Sequence, residues 1–289
     1  MRKNSYRTML ILLSVMFFSI MISSCEKKTT EVDDTPELQK EAAMVIAGNV
    51  AYQTGGMVDQ IADLCAFVTP TGLDKLSDKY SNKDFIFTRT YNDTTGVWSI
   101  HIERERGIPD SIPYAYILRD YTLQYLNSNG IAQRHYIEAG DTARTVHFNV
   151  ITGFGRHKTR RISQQLNQLT AQWTITNANL PNVTINGNYY RAAVDTLQNN
   201  NRTRISDHTL LLDAQDIVAP RGQHIGFANA ISGTLTGHFH ADITIISGTD
   251  TSQRIIDRDI NVVFGGGRSN ININGTVYDA SLATGELIE

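Results

Sequence analysis

From Asp84 onward the apolar residues of this chain recur at every second position, and that period constrains its fold more than any other feature. In residues 97–104, Trp98, Ile100 and Ile102 alternate with Ser99, His101 and Glu103, the mark of a strand with one face in a core and the other in water. Tyr121-Leu123-Tyr125, Val146-Phe148-Val150, Leu169-Ala171-Trp173-Ile175, Phe239-Ala241-Ile243-Ile245 and Ile260-Val262-Phe264 repeat the rule. Between such runs lie turn clusters at residues 92–96, 127–130, 247–250 and 265–267, rich in Asn, Asp, Ser, Thr and Gly. Links this short leave no room for the crossover that parallel strands need, so consecutive strands pair antiparallel. The expected fold is mainly β, a large antiparallel meander or sandwich of about ten or more strands over residues 83–289, with a helical segment at its N-terminal end.

Residues 36–82 carry the other period. Thr35, Pro36 and Glu37 have the order of an N-cap, a first helical position and a first-turn acid. Leu38, Ala42, Val45, Ile46 and Val50 then share one face, and after Gly55-Gly56 the stripe resumes at Met57, Ile61, Leu64, Cys65 and Val68 until Pro70 and Gly72 end it. The pattern predicts one helix broken at the double glycine, or two short ones, packing on the β domain. Cys65 lies on that stripe and reads as a small buried hydrophobe. The only other cysteine is Cys25, so cysteine-based zinc coordination is excluded by count and the fold depends on its core.

The motifs that usually announce an enzyme are absent: there is no Gly-x-Ser-x-Gly elbow, phosphate loop or His-Glu-x-x-His. Gly265-Gly266-Gly267-Arg268 reads as a turn, and nothing implies a cofactor. His238, His240 and Asp242, spaced two apart, share one strand face. They are the chain's best metal-like triad, but one strand offers three ligands at most, so the expectation is a solvated face without metal. Arg156, Lys158, Arg160 and Arg161, after Gly153-Phe154-Gly155, form a cationic run read as a solvated turn that could receive an anion, glycan or partner. Residues 83–289 hold sixteen Arg and two Lys, a bias suited to bidentate carboxylate or phosphate contacts and equally to cross-strand pairing with acids. Tyr114, Tyr116, Tyr121, Tyr125 and Tyr136 crowd one region and read as core residues with their hydroxyls at its rim. Residues 184–190 echo residues 272–278, each copy centred on Asn-Gly, which reads as two similar hairpin turns before it reads as a duplication.

The first residues say where the chain resides. Arg2, Lys3 and Arg7 precede an apolar run from Met9 to Ile22, which ends in Ile22-Ser23-Ser24-Cys25. A run this short falls below the roughly twenty residues of a membrane span and has the layout of a secretory signal. The tripeptide and cysteine resemble the lipobox of bacterial lipoproteins. The resemblance implies removal of residues 1–24, lipidation of Cys25 and a polar tether over residues 25–35. A chain so processed holds 23 basic and 29 acidic residues, a formal charge of −6, which argues against nucleic acid as a partner. Glu26 rather than Asp follows Cys25, and the lean is to the outer membrane. The expected role is a lipid-anchored envelope protein that binds another envelope protein, a glycan or a lipid without catalysis. The alternatives are a carrier holding an apolar ligand within a curved sheet and, behind it, a hydrolase with an unrecognised site.

Overall fold

The computed structural model describes residues 35–73, 85–109, 111–112, 114–158, 162–199, 201–222 and 225–288. The helical pattern yields two helices, α1 (Pro36–Val50) and α2 (Met57–Phe67). The double glycine separates them for a steric reason. Gly55 sits at φ +71°, and a Cβ on Gly56 would lie 2.6 Å from the Ala51 carbonyl oxygen, so only glycine makes this turn.

The alternating segments form long antiparallel strands joined in chain order. They are β1 (Phe85–Asn92), β2 (Val97–Arg106), β3 (Tyr114–Leu126), the short β4 (Ala132–Gln133), β5 (Ile137–Glu138) and β6 (Asp141–Thr142), then β7 (Thr145–Lys158) and β8 (Ile162–Thr176). After them come β9 (Asn182–Asn199), β10 (Arg202–Pro220), β11 (Ser232–Ser247), β12 (Asp250–Gly265), β13 (Arg268–Ile273) and β14 (Thr276–Ser281). One sheet runs β1-β2-β3-β7-β8-β9-β10-β11-β12-β13-β14, with β4 beside β3, and β5 pairs with β6 apart from it. The arrangement is therefore the meander and not the two-layered sandwich.

What fills the second layer is the helical segment. Ten of the eleven residues of α2 are buried, which a helix packed on one flat face would not show. Phe67 meets Phe87 of β1, Tyr121 of β3 and Phe148 of β7 at ring-centroid distances of 6.4, 6.2 and 6.1 Å. At the other end of the strand order, α1 packs on β13 and β14. The turn between the helices bonds there too, with the Tyr52 and Gln53 amides donating to the Leu282 and Ala283 carbonyls. Two helices reach both ends of an eleven-strand path only because the sheet curls around them. Register shifts at Asp120/Tyr121, Leu166/Gln168 and Ala214/Ile217 supply bends along the strands.

Two sequence expectations are corrected here. Gly153 and Gly155 lie within β7, not in a flexible lead-in to a turn. A Cβ on Gly153 would stand 2.6 Å from Leu169 Cδ2, and one on Gly155 would stand 2.6 Å from the Tyr116 carbonyl oxygen, so these glycines permit close strand packing. The two Asn-Gly copies also differ. Asn274-Gly275 is the tight turn between β13 and β14, with φ of +50° and +85°, whereas Asn186-Gly187 lies inside β9, where Gly187 faces Trp173 in register. A side chain there would run into the Gln172 carbonyl, so the shared dipeptide serves a turn once and a close strand approach once.

Candidate functional site

The least anticipated feature is a polar seam buried between the helices and the concave face of the sheet. Asp59 and Asp63, one helical turn apart on α2, both face β2 and β3. Arg119 Nη1 donates to Asp59 Oδ2 at 2.8 Å and to Asp63 Oδ2 at 3.2 Å. Arg104 reaches the same two carboxylates, Asp59 Oδ1 at 3.3 Å and Asp63 Oδ1. The Tyr121 hydroxyl donates to Asp63 Oδ2 at 2.8 Å, and burial above all pushes its pKa well above the ordinary phenol value. Arg119 is 1% exposed and Asp59 1%, so these are charges taken out of water in balanced numbers, two against two, which is what makes their burial tolerable.

A second cluster continues the seam beneath α1. Asn49 bonds His208 Nε2 on β10 at 2.9 Å and accepts from Gln164 Nε2 on β8 at 3.1 Å. Gln164 also donates to Asp195 Oδ1 on β9 at 2.7 Å. Burial raises the Asp195 carboxyl to about 6. Burial, together with the charge of Arg191, lowers His208 to about 4, although Asp195 Oδ2 stands only 3.8 Å from its Nδ1. The pair is thus a neutral imidazole beside a carboxylate that ionises late. Glu41 of α1 pairs with Arg204 on β10, a third tie between helix and sheet.

Arg191, on β9 and 2% exposed, differs from Arg104 and Arg119. Its Nη1 donates weakly to the Gly55 carbonyl at 3.4 Å and to the Tyr189 hydroxyl at 3.5 Å, and its Nη2 donates to Gln164. Its Nε has no partner. Among the described residues it forms no ion pair, and Asp195 lies one hydrogen bond further away, behind Gln164. Arg191 lines a small cleft with Gly55, Tyr116, Arg156, His157 and Gln164, whose open volume of about 10 Å³ matches roughly one water. His157 is lowered to about 4 by burial and by the charge of Arg191.

The residues singled out from sequence fall in separate places. Cys25, Arg160 and Arg161 lie outside the described residues. Arg156 and Lys158 are on β7 rather than on a turn. Arg156 stacks over the Tyr114 ring at 5.0 Å and donates to its hydroxyl at 3.2 Å. His238, His240 and Asp242 do share the outer face of β11, and the neighbouring strand β12 adds two acids, Asp257 and Asp259, to that face. His238 contacts Asp257 Oδ1 at 2.9 Å and Asp259 Oδ1 at 3.0 Å. His240 contacts Asp257 Oδ2 at 3.0 Å, and Asp242 at 3.6 Å. The Asp257 carboxylate lies between the rings, held below its usual pKa by the hydrogen bond from His240 first and by both imidazoles. His101 is clamped in the same way between Asp120 at 2.7 Å and Glu103 at 3.0 Å. Recurrence on a distant part of the outer face marks these as cross-strand pairs of the sheet. Among the described residues, no group of three or more His, Cys, Asp or Glu is arranged to hold a metal ion.

Four of the five tyrosines in the crowded region, Tyr114, Tyr121, Tyr125 and Tyr136, are buried. Tyr125 and Tyr136 donate to the Phe67 and Ala178 carbonyls at 2.8 and 2.7 Å. Cys65 is fully buried, and burial pushes its thiol pKa up. The polar seam escaped sequence reading because Asp59 and Asp63 fall off the apolar stripe and look solvated. The available signal was the surplus of arginine over lysine in the strands, which the fold uses partly to meet helix carboxylates. No family model, curated protein or solved structure matches the chain.

Proposed function

We propose that this chain is a lipid-anchored protein of the cell envelope that acts by binding and not by catalysis, held to its membrane through Cys25. The observation that carries the reading is the occupation of the concave face: α2 is buried along its whole length and ion-paired to β2 and β3 through Asp59 and Asp63. A carrier of the curved-sheet kind needs that face for its cargo, and here helix side chains and a closed charge network take the space. What is left for a partner is the outer face and the rim of the sheet. The basic start, short apolar run and Ile22-Ser23-Ser24-Cys25 supply the support for the anchor, since two or more acyl chains make attachment stable.

Two arms test this reading. Intact mass and detergent-phase partitioning of the parent and of Cys25→Ser examine the anchor. The parent should carry acyl mass and enter the detergent phase, and the variant should do neither. Native mass spectrometry of protein taken from its own envelope examines the binding role. A co-purifying glycan or partner protein supports it, whereas an apolar lipid held by the protein after anchor removal would restore the carrier.

A further inference from the structure

We propose that one end of the sheet lies against the lipid headgroup layer of the membrane that holds Cys25, the end where α1 begins and where Ile108 and Ile112 stand out into solvent. The inference rests on the reading of the chain as lipid-anchored and adds how the anchored molecule is oriented.

Strand register shows which segments share that end. Glu37, in the first turn of α1, pairs with Arg202 at 3.5 Å, and Arg202 opens β10, opposite Asn199 of β9 and Ser247 of β11. Leu197 of β9 lies opposite Ile162 at the start of β8, and Ser163 lies opposite Lys158 at the close of β7. Lys158 is in turn opposite Tyr114, the first residue of β3, and Ala115 is opposite Arg106, the last of β2. The chain before Pro36, the connection from β2 to β3 and the turn from β11 to β12 therefore meet at one end.

Reach excludes the other end. The ten steps from Cys25 to Thr35 span at most about 35 Å. β10 is 19 residues long, about 60 Å at the rise of a strand, and a tilt of about 40° still leaves about 45 Å along the axis. With the far end on the membrane, α1 would start beyond the reach of its tether. The exposed isoleucines of that far end, Ile131, Ile137 and Ile225, are thereby held away from the bilayer.

The near end has the chemistry of a headgroup contact. Ile108 is 74% exposed and Ile112 49%. They flank a turn closed by Ser111, whose amide and hydroxyl both donate to the Ile108 carbonyl, at 2.9 and 2.6 Å. The turn holds the two apolar side chains outward, and entry into the boundary between headgroups and acyl chains would take them out of water. Lys158 stands at the same end, and its long cationic side chain suits the phosphate layer. In this orientation the outer face of the sheet and its far rim point away from the membrane, where a partner can approach them.

Fluorescence quenching of the acylated full chain in vesicles tests the proposal. The vesicles are phosphatidylethanolamine and phosphatidylglycerol with a nitroxide-headgroup lipid, and the chain carries an environment-sensitive fluorophore on one introduced thiol. Cys65 is buried and an acylated Cys25 has no free thiol, so the label reports the chosen site. Ile108→Cys and Ile112→Cys mark the near end. Leu211→Cys marks the outer face midway along β10, and Asn129→Cys marks the far turn after β3; both positions are exposed. The two near-end labels should be quenched at least about twofold more than either comparison, because the headgroup layer is in contact with one end only. Equal quenching at Ile108 and Asn129, or quenching at Leu211 that matches Ile108, would overturn the proposal. Co-flotation with the vesicles reads the anchor separately. A chain that floats without this gradient loses the orientation and keeps the anchor, whereas one that does not float loses the anchor and the orientation with it.

Discussion

At the scale of single residues, the interior of this protein is governed by how each buried charge is answered. Asp195 and His208 sit 3.8 Å apart and are perturbed in opposite directions. Burial raises Asp195 from 3.8 to about 6, so the folded state holds that proton more tightly than the unfolded chain, and the stability this confers is lost as pH rises from about 4 through about 6. Asp195→Asn does not titrate there and keeps an acceptor for Gln164. Relative to the parent, it should gain about 3 kcal/mol between pH 4 and pH 7. His208 is lowered from 6.5 to about 4, so the parent loses stability as pH falls through that window, and His208→Gln should lose about 3 kcal/mol less over the same descent. Urea midpoints of the three proteins at both pH values check the pair of signs. Equal pH dependence in all three would show that the two groups titrate as they do in water. None of this was legible in the sequence, where His208 and Asp195 are each an unremarkable polar position in an alternating strand.

At the scale of elements, the strands were legible and their extent was not. Alternation at Val146-Phe148-Val150 and at Leu169-Ala171-Trp173-Ile175 locates β7 and β8 correctly, because one face of each meets the core. It fails beyond those runs, where register shifts break the period while the strand continues, as at Leu166/Gln168. Asn-Gly misled for a related reason: the dipeptide signals a turn, but in β9 the glycine is demanded by the neighbouring backbone. Gly187→Ala should therefore cost about 2 kcal/mol or more, since both its φ of +142° and the Gln172 carbonyl oppose a side chain. Gly275→Ala, with open space around it and only its φ of +85° to strain, should cost about 1 kcal/mol. Chemical denaturation ranks the two, and a Gly187→Ala variant as stable as the parent would contradict the reported packing. Within the helical segment, α2 is held by its carboxylates as well as by its stripe. Asp59→Ala leaves Arg104 and Arg119 to share the single carboxylate of Asp63 in a dry site and should cost about 3–5 kcal/mol, well beyond the loss of helix-surface polarity. A change below about 1 kcal/mol would mean that water reaches the seam.

At the scale of the whole molecule, the two-residue period already implied a mainly β chain with a helical start, and the short links implied antiparallel neighbours while leaving meander and sandwich both open. That the helices would be wrapped inside the sheet, instead of resting on one side of it, was hidden because a stripe of apolar residues reads the same in both arrangements. The buried polar residues that distinguish them, Asn49, Asp59 and Asp63, look like a solvated face until their partners on β2, β3, β8 and β10 are in place. The functional account depends on that enclosure, since a filled interior directs binding to the outside of the sheet. Amide hydrogen exchange of the intact protein measures it directly. The account predicts that the amides of α2 exchange as slowly as those of β8, β9 and β10, through global unfolding alone. Exchange in α2 faster than in these strands by orders of magnitude would show a helix that lifts out of the sheet, and with it an interior open to a ligand.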